Sequence, residues 1–192
     1  MHKNATLFLV CAALAAGPAL AEKPTWFGDG PAQGKWMIGA KTGNMINEGT
    51  DYGDATNNGL VLGYTFARPV AGNGSASIEF EATSTADDGS FGPDSDQGAP
   101  GVWSVSSKAV YFAYRTGGTV YFKGKLGGVI ADIKRVRDSG ATPNDTVEES
   151  GASLGAGVGM RLGERANLEL EWASGIGIND INYVSLGAAI NF

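Results

Sequence analysis

The chain has 192 residues, among them 30 Gly, 7 Pro, one Cys and one His, with 14 basic against 20 acidic side chains. Gly at about twice its usual share excludes a helical bundle, since each Gly inside a helix costs roughly 1 kcal/mol relative to Ala. The glycines keep no three-residue period, which excludes collagen, and a net charge of −6 argues against a nucleic-acid binder that neutralises phosphates.

In chain order, Met1-His2-Lys3, an apolar run over 5–20 and Ala19-Leu20-Ala21 before Glu22 read as a secretory signal peptide, residues 1–21. The run is shorter than the roughly 18 residues of a membrane-spanning helix. Cys11 does not read as a lipoprotein site, because Val10 stands where a small residue is needed. Cleavage after Ala21 would remove Cys11 and His2, the only Cys and the only His. What remains has no disulfide framework, no thiolate nucleophile and no imidazole for a catalytic triad or a zinc site.

Beyond the signal the chain alternates with period two in eight segments, centred on 35–46, 58–68, 75–86, 103–115, 119–133, 151–162, 167–175 and 181–192. Pro24, Pro31, Pro69, Pro93, Pro100 and Pro143 all fall between them, as strands require of a residue that cannot donate to a ladder. The last segment sets Val184, Leu186, Ala188, Ile190 and Phe192 against Tyr183, Ser185, Gly187, Ala189 and Asn191. Residues 167–175 set Leu168, Leu170 and Trp172 against Glu169 and Glu171, and residues 75–86 set Ile78 and Phe80 against Glu79 and Glu81.

Alternation alone fits any half-buried sheet. A soluble ligand-binding barrel turns its apolar face inward, whereas a membrane barrel turns it to lipid. The connections separate the two. Those after the first, third and fifth segments are long (47–57, 87–102, 134–150), and those after the second, fourth and sixth are short (69–74, Gly117-Gly118, 163–166). Long loops at one end and tight turns at the other mark an outer-membrane barrel. Trp36, Tyr64, Phe66, Tyr111, Phe122 and Phe192 are expected as a girdle at the short-turn rim, with Trp103, Trp172 and Tyr183 at the long-loop rim.

On these features, together with the terminal V-S-L-G-A-A-I-N-F, residues 35–192 resemble the small eight-stranded OmpA/OmpX-type outer-membrane β-barrels. The resemblance implies an all-β, antiparallel up-and-down transmembrane barrel preceded by a periplasmic segment, 22–34. It also implies that Phe192, with Ile190 at a position where an aromatic is frequent, forms the signal read by the barrel-assembly machinery. It is nearly silent on activity, because adhesins, membrane stabilisers, narrow channels and a few lipid-modifying enzymes share the fold. The lipid A acyl-modifying members work through His, so no enzymatic activity, cofactor or metal is expected.

With the apolar faces on lipid, the inward charges are Lys41, Glu79, Glu81, Lys123, Lys125, Arg161, Glu169 and Glu171. They read as a balanced ion-pair network plugging a bore just wide enough for side chains. With residues 163–166 as the turn, Arg161 faces Glu169 across the ladder. A two-residue Gly117-Gly118 turn puts Lys108 inside with Phe112; a three-residue turn would aim it at lipid, at about 2–4 kcal/mol at mid-membrane, and that cost favours the inward placement. Gly155-x-Gly157-x-Gly159 sits in a strand with no helix after it, so it fits small wall residues better than a phosphate loop.

The loop over 87–102, with Asp87, Asp88, Asp94 and Asp96, lacks the bidentate Glu of a calcium loop and reads as solvated acidic chain. Lys134, Arg135 and Arg137 fall just past the fifth segment, at the level of lipopolysaccharide phosphates. The expectation is a monomeric barrel with a membrane-stabilising or adhesin-like surface role, with outer-membrane lipid and lipopolysaccharide as partners and no nucleic acid. The alternative is a narrow porin-like channel.

Overall fold

A computed structural model describes residues 34–66, 74–95, 97–138, 145–176 and 181–192. The predicted signal peptide, residues 22–33 of the periplasmic segment, most of the turn at 69–74 and Asp96 lie outside them. Nine strands follow in order: β1 (Lys35–Asn47), β2 (Ala55–Thr65), β3 (Ser75–Asp87), β4 (Gly89–Phe91), β5 (Gly101–Arg115), β6 (Val120–Arg137), β7 (Asp145–Leu162), β8 (Ala166–Ile176) and β9 (Ile181–Asn191). β1 pairs with β9, and β3 pairs with β5, so the eight long strands form a closed antiparallel β-barrel. Each overlaps one of the eight predicted segments, but β2 starts at Ala55 instead of 58, β6 runs on to Arg137 instead of 133 and β7 starts at Asp145 instead of 151. The short β4 pairs with β5, bridges through Phe91 to Tyr52 of the β1–β2 loop, and belongs to the long loop after β3.

The register sets the bore. Stepping from Trp36 through the paired residues Tyr64, Ile78, Phe112, Leu126, Leu154, Ser174 and Asn182 returns to β1 at Ile46, ten residues from the start. A stagger of ten over eight strands implies a tilt of about 40° and a radius of about 8 Å to the backbone, so side chains fill the interior.

Outside, the wall is apolar. Leu60, Leu62, Phe80, Val110, Phe112, Phe122, Leu126, Leu170 and Leu186 are all exposed. On β6 this face runs from Val120 to Ile130, and those ten steps climb about 25 Å at the inferred tilt, the height of an outer-membrane apolar band. Trp36, Tyr64, Phe66, Phe122 and Phe192 ring its short-turn edge, with Trp36 and Phe66 each packed edge-on against Tyr64. Three expected girdle members are instead inside: Tyr111, Trp103 and Tyr183 are 4%, 1% and 6% exposed. They point inward because they share a face with Ala113, Val105 and Ser185 on their own strands.

Lys108 departs from expectation in the other direction. Arg115 pairs with Lys123, and the Thr116 amide donates to the Phe122 carbonyl, so an odd number of residues makes the turn. A one-residue change of turn length exchanges the faces of a strand. Lys108 therefore lies outward with Val110 and Phe112, and Arg115 lies inward. The stagger puts Lys108 level with Asn58 and Ser174, at the polar long-loop edge of the belt. There a lysine costs roughly 0–1 kcal/mol instead of the midplane figure.

β6 and β7 are the longest strands, 18 residues each, and carry the wall past the belt, where Asp132, Lys134 and Glu148 are exposed. Most of the expected loop over 134–150 is thus ladder. The placement of Lys108 predicts that, in a Cys11→Ala background, a lipid-soluble maleimide labels Lys108→Cys in the folded, membrane-inserted protein. Ala109→Cys should react only after unfolding. The opposite order of reactivity would contradict the register.

Candidate functional site: the charged bore and its apolar stopper

Every second residue of a barrel strand faces inward, so β3 contributes Glu79 and Glu81, β6 Lys123 and Lys125, and β8 Glu169 and Glu171. β1 adds Lys41 and β5 adds Arg115, giving four cations and four carboxylates, each under one-tenth exposed. They form one alternating chain. Lys41 pairs with Glu81, which pairs with Lys125 at 2.8 Å; Lys125 reaches Glu171 at 2.9 Å, and Glu171 also pairs with Lys123. Lys123 holds Glu79 and Glu169 at 2.9 Å each. Arg115 closes the end, with Nη1 at 2.6 Å from Glu79 and Nε at 2.6 Å from Glu169. Hydroxyls of Ser77 and Tyr121 donate to Glu79 and Glu169 at 2.8 and 2.6 Å. Since β3, β6 and β8 are not wall neighbours, the chain ties opposite sides of the bore together.

Arg161 is not in this network. The β7–β8 ladder pairs Leu162 with Ala166 and Arg161 with Asn167, two positions short of the expected Glu169. The shorter turn, with Gly163 at φ 73°, accounts for the slip. A shift of two preserves the face but changes the partner. Arg161 instead donates to the Gly118 carbonyl at 2.7 Å and stacks over the Tyr121 ring. The other seven predicted residues do meet in the bore, and Arg115 takes the place assigned to Arg161. Arg115 was missed through the assumed turn length, whereas Tyr121 shares the β6 face of Lys123 and Lys125 and was legible from that strand alone. The signal for them was the inward pair Lys123 and Lys125, which an odd turn carries back to Arg115.

Glycines make room for these long side chains. A Cβ at Gly155 would meet Lys125 Cε at 2.9 Å, one at Gly157 would meet Glu171 Cγ at 3.1 Å, and one at Gly159 would overlap the Tyr121 ring. The three glycines thus form a recess in β7 into which the network packs. Lys125 and Lys41 also sit over the rings of Tyr111 and Tyr183, at 4.3 and 5.0 Å.

Above the charges lies a neutral polar layer. Asn57 Nδ2 donates to the Val105 carbonyl at 2.9 Å, Thr83 and Ser107 share a hydrogen bond of 2.8 Å, and Tyr111 and Ser153 one of 2.9 Å. The long-loop mouth is then filled by an apolar cluster of Met45, Phe91, Trp103, Val105, Ile133 and Ile181. Tyr52 packs on Phe91 and Trp103, and the Trp103 indole donates to the Gly53 carbonyl at 2.8 Å. The β1–β2 loop is thereby tied to β4 across the mouth, with Gly53 N bonded to Ser90 O at 2.8 Å. None of this stopper was expected from the sequence.

The three basic residues expected at the rim separate. Lys134 is exposed on the outer face, whereas Arg135 and Arg137 occupy the inner one, each 3.9 Å from Asp145. Arg137 also donates to Gln97 at 2.6 Å. Of the acidic loop, the Asp94 amide donates to the Asp51 carboxylate at 3.2 Å. Phe192 and Ile190 both point outward at the short-turn edge.

The fold is that of the small eight-stranded outer-membrane barrels. The chain resembles the N-terminal β-barrel domain of Pseudomonas aeruginosa OprF with a TM-score of 0.53 at 14% identity, covering 83% of this chain and 100% of that one. It matches Ail, the attachment invasion locus protein of Yersinia pestis, in complex with sucrose octasulfate, at 0.50 and 16% over 83% and 97% of the two chains. Neisserial surface protein A gives 0.50 and 12% over 82% and 97%. No family profile and no curated protein sequence matches the chain.

Glu169 touches Arg115, Lys123 and Tyr121, so Glu169→Ala takes a carboxylate from both cations, leaves four buried cations against three carboxylates in the network and should lower folding stability by about 4 kcal/mol. Arg161→Ala, at the half-exposed end of β7, should change it by less than about 1 kcal/mol. Urea unfolding of the refolded protein in detergent measures both. Equal losses would remove the distinction drawn between them.

Proposed function

We propose that the protein is a monomeric, non-enzymatic barrel of a Gram-negative outer membrane, exported by a cleaved signal peptide, with a membrane-stabilising or surface-interaction role. The observation that carries this reading is the filled bore. An unbroken chain of ion pairs spans it, and an apolar cluster stops the long-loop mouth. A permeating ion would have to displace buried pairs, at several kcal/mol for each charge left unmatched. The exposed apolar belt, about 25 Å tall, supports residence in the outer membrane.

The same features favour a structural role over catalysis. All eight bore charges are engaged with one another, and His2 lies in the expected signal peptide. Lipid of the outer membrane is the natural partner of the belt, and lipopolysaccharide of the outward Lys134. The outward Phe192 and Ile190 support recognition by the assembly machinery during biogenesis. The long-loop face, braced by β4 and the stopper, is the surface offered to a ligand.

Planar-bilayer recording of the refolded protein tests the reading. No discrete openings are expected at potentials the bilayer tolerates, and the folded protein should migrate faster than the heated form on a denaturing gel. Reproducible single-channel steps would establish the narrow channel instead, and ready solubility in plain buffer would refute the membrane barrel.

A further inference from the structure

Past the apolar belt the long strands do not end together. On β7 the ladder to β8 reaches no higher than the pair of Ala152 with Ile176, whereas the ladder to β6 runs on to the pair of Asp145 with Arg135. Residues 145–151 therefore continue for about 24 Å with β6 along one edge and, among the described residues, no strand along the other. Ser150 stands opposite Ile130, where the belt ends on β6, so this edge rises out of the membrane into water. The Arg161 amide donates to the Thr119 carbonyl, on the β6 side of β7. In an antiparallel ladder alternate residues turn their N–H and C=O to opposite neighbours, so the odd-numbered residues of β7 bond to β6. Thr146, Glu148 and Ser150 turn theirs to the open edge, and all three residues are exposed. Such a row of donors and acceptors is a template for one more strand.

Charge selects the strand that fits. Residues 145–151 hold Asp145, Glu148 and Glu149 and no basic side chain. Asp145 lies 3.9 Å from Arg135 and from Arg137 on the inner face, but on the outer face Glu148 stands directly opposite Asp132. Like charges so placed repel, and a second copy of the same edge would bring more of them. A cation beside Glu148 offsets the repulsion. On the inner face Val147 pairs with Ile133 of the apolar stopper, so an apolar neighbour there extends the cluster. Resting on the surface-interaction role proposed above, we infer that this edge takes up an extended segment of another protein as an added strand. That segment alternates basic and apolar residues, with lysine or arginine facing Glu148 outside and an apolar side chain beside Val147 inside.

The mature protein, refolded in a zwitterionic detergent, is titrated with a short labelled peptide alternating lysine and valine, and binding is read by fluorescence anisotropy. Saturable binding that weakens with added salt is expected. Two further peptides are methylated on the lysine or on the valine backbone nitrogens. One should lose about tenfold in affinity and the other little, because alternate N–H groups of a strand face opposite sides. Glu148→Lys should weaken binding about tenfold and admit a peptide with glutamate in place of lysine. Thr146→Pro removes an N–H that faces the open edge, leaves the β6 ladder and every charge in place, and should weaken binding about fivefold. Amide exchange at Thr146, Glu148 and Ser150 should be fast in the free protein and slow in the complex.

Binding indifferent to Thr146→Pro and to both methylated peptides would overturn the inference, as would equal binding of the glutamate peptide by the wild type. Slow exchange at the three amides in the free protein would show the edge already covered. A dimer that Thr146→Pro dissociates would assign the edge to a second copy. Either result refutes the proposed partner. Heat-modifiable migration of every variant separates loss of binding from loss of folding. A folded wild type that binds no peptide refutes this edge alone, whereas discrete channel openings count against the surface role on which it rests.

Discussion

A charge inside a bore of about 8 Å radius has little water to turn to, so it must find an opposite charge among the other inward side chains. That requirement organises this barrel. Four cations and four carboxylates alternate from Lys41 to Arg115, and each interior carboxylate touches at least two cations. The rest of the interior accommodates them. β7 gives up side chains at Gly155, Gly157 and Gly159, and the hydroxyls of Ser77 and Tyr121 complete carboxylates that the cations leave open. The glycine excess and the low charge fraction of the chain are two sides of one packing problem.

Polarity is layered along the axis. Charges fill the half nearer the short turns, amides and hydroxyls come next, and apolar rings close the mouth under the long loops. A wholly charged bore would admit water along its length, whereas Trp103, Phe91 and Ile133 exclude it at one end. The stopper also orders the loops that cover it, because Tyr52, Gly53 and β4 are fastened by the same contacts. Surface loops braced in this way present a fixed shape to the exterior.

Much of this was legible in the alternation. The segments at 75–86, 167–175 and 181–192 carry apolar residues on one face only, and their orientation is as expected. β5, which covers the segment at 103–115, is different. Trp103, Val105, Tyr111 and Ala113 lie on one face and Val102, Val110 and Phe112 on the other, so period two has no preferred side there. The choice passes to the turn at Gly117-Gly118, and a single residue of turn length decides between Lys108 and Arg115. Register slips of two, as at Arg161, leave no trace in the face pattern at all. The stopper was hidden for another reason: it joins residues from β1, β4, β5, β6 and β9, and it places apolar side chains where an inside-out barrel is expected to be polar.

The order in which the strands occur bears on how such a barrel can close. β1 through β7 supply all four cations of the ion-pair network, Lys41, Arg115, Lys123 and Lys125, but only two of its carboxylates, Glu79 and Glu81. The balance arrives with Glu169 and Glu171 on β8, next to last in the chain. A partly assembled wall therefore carries surplus positive charge facing its own interior and gains little from closing early. Neutrality of the network and closure of the ring therefore depend on the same C-terminal hairpin, in which β8 brings Glu169 and Glu171 and β9 pairs with β1.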